Sequence, residues 1–223
     1  MAIRSGPARP FGQSANRTAY ATSFRHHVHL LVGMGYNRLI PARYQSSEET
    51  TITGELVDAI FAAMEDVDAP KWASHYTIHD DRPLSLGGRL GKHRQRVDIE
   101  FERVLPGKRP RFQFEAKRLC DHSTETDYCE DKGLGCFLSG EYAPGHNEAG
   151  MLGYVQTQDE PTWAARIQAR LEGNPTMFRL QPGRGWQRLR TACGGLSFTY
   201  RTEHNRDKNL GAITISHVLL KFF

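Results

Sequence analysis

The sequence predicts a mixed α/β fold, in which a central β-sheet with a β-hairpin at its core is flanked by helices. Three observations predict this class: a long amphipathic helical pattern, an alternating hairpin after it, and a second helix followed by more strand-like segments. The helices span about 47–67 and 160–172, the hairpin 96–104 and 111–118, and the other strands 150–156, 196–202 and 212–220. With 223 residues, 39% hydrophobic and 24% charged, the chain can bury its own core, and its composition excludes collagen, coiled coil and wholesale disorder.

Residues 1–24 have neither a helical nor a strand period, and their early glycine and prolines disfavour a helix. We therefore predict a basic, flexible arm at 1–24, followed by a single α/β domain at 25–223. An arginine-rich leader without acidic residues is also typical of an organelle transit peptide, and that alternative stays open. The histidines that follow, His26, His27 and His29, are interpreted as polar residues flanking a short strand.

The first helix is predicted to begin near Ser46, because Ser46 and Glu49 have the spacing of a capping box. An apolar stripe recurs along this helix at helical spacing, and Glu55 lies beside the stripe. A carboxylate at the edge of a buried stripe marks Glu55 as a candidate site residue. Glu48, Glu49 and Glu100 are rivals for acidic roles.

Apolar and polar residues alternate along both strands of the hairpin. One face carries Val97, Ile99, Phe101, Phe112, Phe114 and Ala116, and the other carries Asp98, Glu100, Glu102, Gln113, Glu115 and Lys117. A two-residue loop at Pro106-Gly107 would place Asp98 directly opposite Glu115, whereas Pro110 favours a longer loop. A shift of the strand pairing by two residues would keep the carboxylates on one face. A shift by one residue would bury them and expose the phenylalanines.

Two opposed carboxylates repel each other unless a cation lies between them. Mg²⁺ is suited to this place, because it takes oxygen ligands and is commonly held by one or two carboxylates with substrate phosphate; Mn²⁺ is a possible substitute. Lys117 projects from the same face as Glu115, where it can hold the attacking water or neutralise charge on a phosphate. This set of groups is typical of phosphodiester hydrolysis.

The second helix begins at Asp159 or Glu160, carries Pro161 in its first turn and ends at Gly173. Gln156 ends the strand before it, where it either reaches the site or is solvated. Residues 134–138 form a short helix or a loop.

Asp98 on one strand and Glu115-Ala116-Lys117 on the next, after an acidic helix, resemble the PD-(D/E)xK, or restriction-endonuclease-like, nuclease superfamily. The resemblance covers about residues 48–172, with Val97 in place of the usual proline before the aspartate. It implies a metal-dependent endonuclease, with Asp98, Glu115, the Ala116 carbonyl and Glu55 at the metal and Lys117 serving the nucleophilic water. It also implies DNA in preference to RNA as substrate, a context of restriction or antiviral defence, and a homodimer or partner subunits of a defence complex.

The charge distribution favours a polyanionic partner. The chain has 22 arginines but 7 lysines, and the first 47 residues contain six arginines and no acid. Arginine suits planar recognition of phosphate, so nucleic acid is the first candidate. The predicted phosphate contacts are Arg96, Arg118, Arg184, Arg188 and Arg190, with Arg4, Arg9 and Arg17 of the arm.

Other readings remain open. Cys120, His122, Cys129 and Cys136 are zinc-ligand types, although they lack close CxxC pairs. A non-catalytic nucleic-acid-binding or assembly subunit with a vestigial site is the main alternative function. No apolar run is long enough for a membrane span, and four cysteines are too few for a secreted disulfide scaffold, which together predict a cytoplasmic protein.

Overall fold

The computed structural model describes residues 13–84, 95–104, 109–189, 196–207 and 210–223, with side chains from Thr22 onwards. Within these residues the strands are β1 (Tyr76–Pro83), β2 (Arg96–Arg103), β3 (Arg111–Leu119), β4 (Glu148–Val155), β5 (Gln187–Leu189), β6 (Thr199–Asn205) and β7 (Ala212–Lys221). The helices are α1 (Gln13–Tyr36), α2 (Glu49–Met64), α3 (Glu125–Cys129), α4 (Leu134–Leu138) and α5 (Glu160–Gly173). Short 3-10 turns occupy Pro41–Tyr44 and Ala73–His75. The predicted mixed α/β class is confirmed.

The strands form one mixed sheet in the order β1-β2-β3-β4-β7-β6-β5. Neighbours pair antiparallel except β3 with β4 and β4 with β7, which are parallel. The carboxyl ends of β3, β4 and β7 therefore meet at one end of the sheet, called here the carboxyl end. Ligands of open α/β sheets commonly bind beyond such an end.

Helices cover both faces of the sheet. The face packed by α1 and α2 buries Ile52, Leu56 and Ile60 of α2 against Phe101 and Phe114 of the hairpin. The opposite face is packed by α3, α4 and α5, with Trp163 and Ile167 of α5 against Met151 and Leu219 of the sheet. The described helices include none that is both long and apolar enough to cross a membrane.

The hairpin has the register in which residue numbers of partners sum to 213: Ile99 pairs with Phe114 and Phe101 with Phe112. Continued by one residue, this register places Asp98 opposite Glu115. The loop at 105–108, on which the choice of turn depended, lies outside the described residues.

The prediction for the first part of the chain is wrong from Gln13 onwards. Helix α1 begins at Gln13, inside the predicted arm, and contains the histidines that were placed beside a short strand. After Gly12 the sequence has neither glycine nor proline until Gly33, and Phe24, Val28 and Leu31 are buried at helical spacing.

The predicted capping box at the start of α2 is also wrong. The N-cap residue is Glu48, which accepts no capping hydrogen bond through its side chain. The carboxylate of Glu49 instead contacts Lys117 and Arg118 on β3. The predicted start of the second helix at Asp159 or Glu160 is confirmed in α5. There the Asp159 side chain caps the helix by accepting from the Thr162 amide at 2.8 Å.

Candidate active site

A cluster of three carboxylates and one lysine lies where the carboxyl end of β3 meets the start of β2 and the first turn of α2. We call Asp98, Glu115, Lys117 and Glu49 the carboxylate cluster. The Ala116 amide donates to Asp98 Oδ2 at 2.7 Å, which holds the Asp98 carboxylate against β3. Lys117 Nζ lies 2.8 Å from Glu115 Oε1 and 2.9 Å from Glu49 Oε1. The structure therefore brings the predicted Asp98, Glu115 and Lys117 together.

Glu115 is the buried centre of the cluster, since only 5% of the residue is exposed. Burial, with the neighbouring charge of Asp98, raises the pKa of Glu115 to about 9, although Lys117 acts in the opposite direction. Its second oxygen, Oε2, is buried and has no hydrogen-bond partner among the described residues. A buried carboxylate oxygen without a partner is costly, so this atom is disposed to bind a proton or a cation.

Lys117 is held by all three of its donors. Besides Glu49 and Glu115, Nζ contacts the Ala116 carbonyl oxygen at 2.6 Å. Burial alone would lower the pKa of Lys117, but the carboxylates of Glu115 and Glu49 raise it above its ordinary value. The ammonium is therefore charged, and it must exchange one of these bonds to contact a substrate.

The acid that α2 contributes is Glu49, not the predicted Glu55. Glu55 is exposed and accepts a hydrogen bond from the Tyr44 hydroxyl at 3.1 Å. Glu49 lies six residues earlier, in the first turn, where it accepts from both Lys117 Nζ and the Arg118 amide. Glu48 pairs with the Arg118 guanidinium at 3.0 Å.

Glu100, the rival acid on β2, belongs to a different set of contacts. It is 1% exposed and binds Arg82 and the Gln113 side-chain amide. The oxygen of the same Gln113 side-chain amide, Oε1, accepts from the Ala143 backbone amide at 2.8 Å. Glu100 is therefore satisfied by the protein itself, whereas Glu115 is not.

A loop between α4 and β4 covers this part of the sheet. The Tyr142 hydroxyl donates to the Arg96 carbonyl at 2.6 Å, two residues before Asp98. The Ala143 carbonyl accepts from Arg206 at 2.8 Å. The loop is thus attached to β2 and to the segment before β7, and it keeps the Glu115 side of β3 buried.

The donor set suits a hard divalent cation. Two carboxylates and the Ala116 carbonyl supply oxygen, and the Glu115 oxygen without a described partner can bind a proton or a cation. The described residues contain no group of three or more His, Cys, Asp or Glu side chains arranged to hold a metal. A Mg²⁺ ion here would therefore complete its coordination with water and substrate, as this ion commonly does. The described zinc candidates Cys120, Cys129 and Cys136 are buried free thiols.

The predicted phosphate-binding arginines differ in position and pairing. Arg118 lies near the carboxyl end of β3 and Arg96 at the adjacent start of β2, but Arg96 pairs with Asp81 and Arg118 with Glu48. Arg188 stacks over Phe198 and donates to the Ser197 carbonyl. Arg184 lies 3.7 Å from Glu203. Arg4, Arg9 and Arg190 are outside the described residues, as is the side chain of Arg17.

Comparison of the chain with models of protein families, with curated proteins and with solved structures gives no match in any of the three. A conclusion about function therefore depends on the geometry and chemistry of the cluster.

Proposed function

We propose that the protein is a metal-dependent endonuclease that hydrolyses phosphodiester bonds, with DNA preferred to RNA, and that its sheet is of the restriction-endonuclease-like kind. The observation that carries the proposal is the convergence of Asp98, Glu115 and Lys117 at the carboxyl end of the sheet. Two opposed carboxylates with an adjacent lysine can hold a divalent cation and serve an attacking water, which suits metal-assisted phosphodiester hydrolysis.

Asp98, Glu115 and the Ala116 carbonyl are the residues that would hold Mg²⁺, with Mn²⁺ as a substitute. When bound, the ion would stabilise charge on the phosphate and make a coordinated water more acidic. The chain's own contribution is orientation: the Ala116 amide fixes the Asp98 carboxylate, and Glu49 keeps the Lys117 ammonium beside Glu115. Lys117 would direct an N–H group at the attacking water or at the phosphate once one of its present bonds is exchanged.

The remaining parts of the proposal are the cellular setting and the partners. We place the protein in the cytoplasm because its four cysteines are too few for a secreted disulfide scaffold, and in restriction or antiviral defence on the resemblance of the motif. Cleavage of both strands of a duplex would be served by a homodimer, because duplex DNA has two-fold symmetry, or by partner subunits of a defence complex. Arg188 supports contact with a phosphate backbone, since its guanidinium is exposed and, within the described residues, is not ion-paired.

The decisive test is cleavage of end-labelled DNA and RNA by the purified protein with Mg²⁺, Mn²⁺ or EDTA. We expect Mg²⁺-dependent cleavage of DNA that falls by about 10²–10⁴-fold in Lys117→Ala and in Asp98→Ala, the size of effect usual for such groups. Glu55→Gln is the matched control, because Glu55 is an exposed acid of the same helix as Glu49 and its contact is to Tyr44. Glu55→Gln should cleave like the wild type.

Two outcomes would overturn the proposal. One is a wild-type protein that cleaves neither nucleic acid with either metal, and the other is cleavage by both variants at the wild-type rate. Salt-dependent binding of nucleic acid without cleavage would favour a non-catalytic binding subunit instead.

A further inference from the structure

Gln156 is a buried polar residue at the carboxyl end of β4, one residue beyond the strand. Only 2% of it is exposed, so the side chain is not solvated, although a glutamine at a strand end commonly is. Its backbone amide donates to the Leu119 carbonyl at 3.0 Å, which continues the pairing of β3 with β4 past their last ladder residues. The side chain is thereby directed from the sheet towards the chain that precedes α2.

Both hydrogen atoms of the Gln156 amide are used on that chain. Nε2 lies 2.8 Å from the Tyr44 carbonyl oxygen and 2.8 Å from the Ser47 carbonyl oxygen. These two carbonyls bracket the turn between the 3-10 turn Pro41–Tyr44 and the start of α2. One buried side chain thus fastens the entry to α2 directly to the sheet.

The entry to α2 determines where Glu49 lies. Glu48, the N-cap, has no capping hydrogen bond from its side chain, so the usual local device for fixing a helix start does not act here. Glu49 begins the helix two residues after Ser47, and its carboxylate accepts from Lys117 Nζ and from the Arg118 amide. Gln156, Glu49 and Lys117 therefore form one continuous path from β4 through the helix start to β3.

We infer that Gln156 is a positioning residue that fixes the first turn of α2, so that Glu49 holds the Lys117 ammonium beside Glu115. It touches none of the groups of the carboxylate cluster and acts through Glu49. The kinetic consequence rests on the proposed nuclease activity. The structural consequence does not, because it concerns contacts that exist without substrate.

The matched control is Thr53, which makes another buried tether between α2 and β4. Its hydroxyl lies 3.0 Å from the Tyr154 hydroxyl, and both side chains are buried. Thr53→Val removes this tether one turn further along the helix and leaves the Tyr44 and Ser47 carbonyls bound. A loss that is merely one of helix attachment would appear in both Gln156→Leu and Thr53→Val.

The first experiment is a double-mutant cycle on cleavage. We expect Gln156→Leu to lower kcat by about 10–10²-fold with KM changed less than about threefold, as for a misplacement of about 1 Å at a catalytic group. Thr53→Val should keep kcat within about threefold of the wild type. In a Glu49→Gln background, Gln156→Leu should lower kcat no further, because the path it acts through is already cut. If the double variant instead showed the product of the two single-variant losses in kcat, the inference would be overturned.

The second experiment needs no activity. Hydrogen exchange of the Arg118 amide, whose acceptor is Glu49 Oε2, should be at least about tenfold faster in Gln156→Leu and unchanged in Thr53→Val, since local exchange follows local opening. Wild-type protection of this amide in Gln156→Leu would overturn the inference. If Gln156→Leu fails to fold, Gln156→Asn serves for both experiments, because its amide is one methylene too short to reach both carbonyls.

The two experiments separate the inference from the function. If the wild type cleaves nothing, the proposed nuclease function is wrong. The hydrogen exchange of the Arg118 amide still decides whether Gln156 positions Glu49. Fast exchange in Gln156→Leu combined with wild-type kcat would show that the helix start moves without effect on cleavage, and it would overturn the kinetic part.

Discussion

Two polar clusters are buried on the same face of the sheet, and they differ in whether the protein satisfies them. One is the carboxylate cluster at the end of β3. The other, which we call the histidine chain, consists of Tyr128 on α3, His217 on β7, and Thr202 and His204 on β6. All four residues of the histidine chain are fully buried.

The donor and acceptor of each hydrogen bond in the histidine chain can be assigned by starting from the contact of His204 with the Phe178 carbonyl. His204 Nδ1 lies 2.7 Å from the Phe178 carbonyl, so it donates there and its Nε2 must accept from Thr202 at 2.6 Å. Thr202 then accepts from His217 Nε2 at 2.8 Å, which leaves His217 Nδ1 to accept from the Tyr128 hydroxyl at 3.1 Å. Each of these donors and acceptors has a partner, and both rings are neutral.

The carboxylate cluster has no such closed arrangement. Glu49 and Glu115 share the Lys117 ammonium, Asp98 accepts from the Ala116 amide, and Glu115 Oε2 has no described partner. The comparison separates two uses of buried polarity. A network in which every group is paired stabilises one structure, while a buried carboxylate oxygen without a partner can still bind a proton or a cation.

The largest expected effect is the loss of stability of the histidine chain in acid. Burial lowers the pKa of His204 to about 4 and that of His217 well below its usual range. The unfolded histidines take up protons near pH 6.5 and the folded ones do not, so the free energy of unfolding falls as the pH drops below about 6.5. The two residues together should cost about 4 kcal/mol between pH 6.5 and pH 4.5. Denaturant titrations at a series of pH values measure this loss.

The contribution of one ring is isolated by His217→Gln. Its unfolding free energy should change with pH by about 1 kcal/mol per unit less than that of the wild type, averaged over the same range. His26→Gln is the control for the substitution itself, because His26 is exposed on α1. Equal slopes for His217→Gln and the wild type would contradict the assignment of a neutral, buried chain.

The next prediction concerns Thr202, which links His204 and His217 in the middle of the histidine chain. Thr202→Val keeps the shape but leaves His217 Nε2 and His204 Nε2 without partners, so it should lower the free energy of unfolding by about 2–4 kcal/mol. Thr199→Val, on the same strand, removes one hydrogen bond to the Leu196 carbonyl and should cost about 1 kcal/mol. Similar losses in the two variants would show that the histidine chain is not a connected network.

The hairpin shows what the sequence alone can predict. Alternation with period two identified both strands and the shared face of Asp98, Glu115 and Lys117, because the buried phenylalanines permit only an even slip. The edge strand β1 was missed. It is buried mainly through Tyr76 and Ile78, and its later residues are charged, so the pattern is too short to recognise.

The acid from α2 could not be chosen from sequence, because the choice depends on how the helix is oriented on the sheet. The stripe predicts which side of α2 is buried, and Glu55 lies near it. Glu49 reaches Lys117 because the helix starts over the carboxyl end of β3, which is a tertiary contact. The histidine chain is equally non-local, since β6, β7 and α3 each supply part of it.

The last prediction concerns Glu115 of the carboxylate cluster, whose buried Oε2 has no described partner. Because the pKa of Glu115 is raised to about 9 on folding, the wild type should lose stability as the pH rises from about 5 to 9. Glu115→Gln removes this loss and keeps Lys117 bound to Glu49 and the Ala116 carbonyl. It should be at least about 1 kcal/mol more stable than the wild type at pH 8 without divalent cations. Thermal unfolding at pH 8 with EDTA measures the difference.

Added Mg²⁺ sharpens the same measurement. A cation that binds Glu115 only in the folded protein should raise the unfolding temperature of the wild type and leave that of Glu115→Gln nearly unchanged. Glu100→Gln is the control, since Glu100 is as buried as Glu115 but is already paired with Arg82 and Gln113. It should lose stability without metal, because it removes the closer carboxylate partner of Arg82 and leaves only the 3.6 Å contact with Glu102. If Glu115→Gln and Glu100→Gln both lost stability to the same extent, the two glutamates would be equally satisfied, and burial without a partner would no longer mark the site.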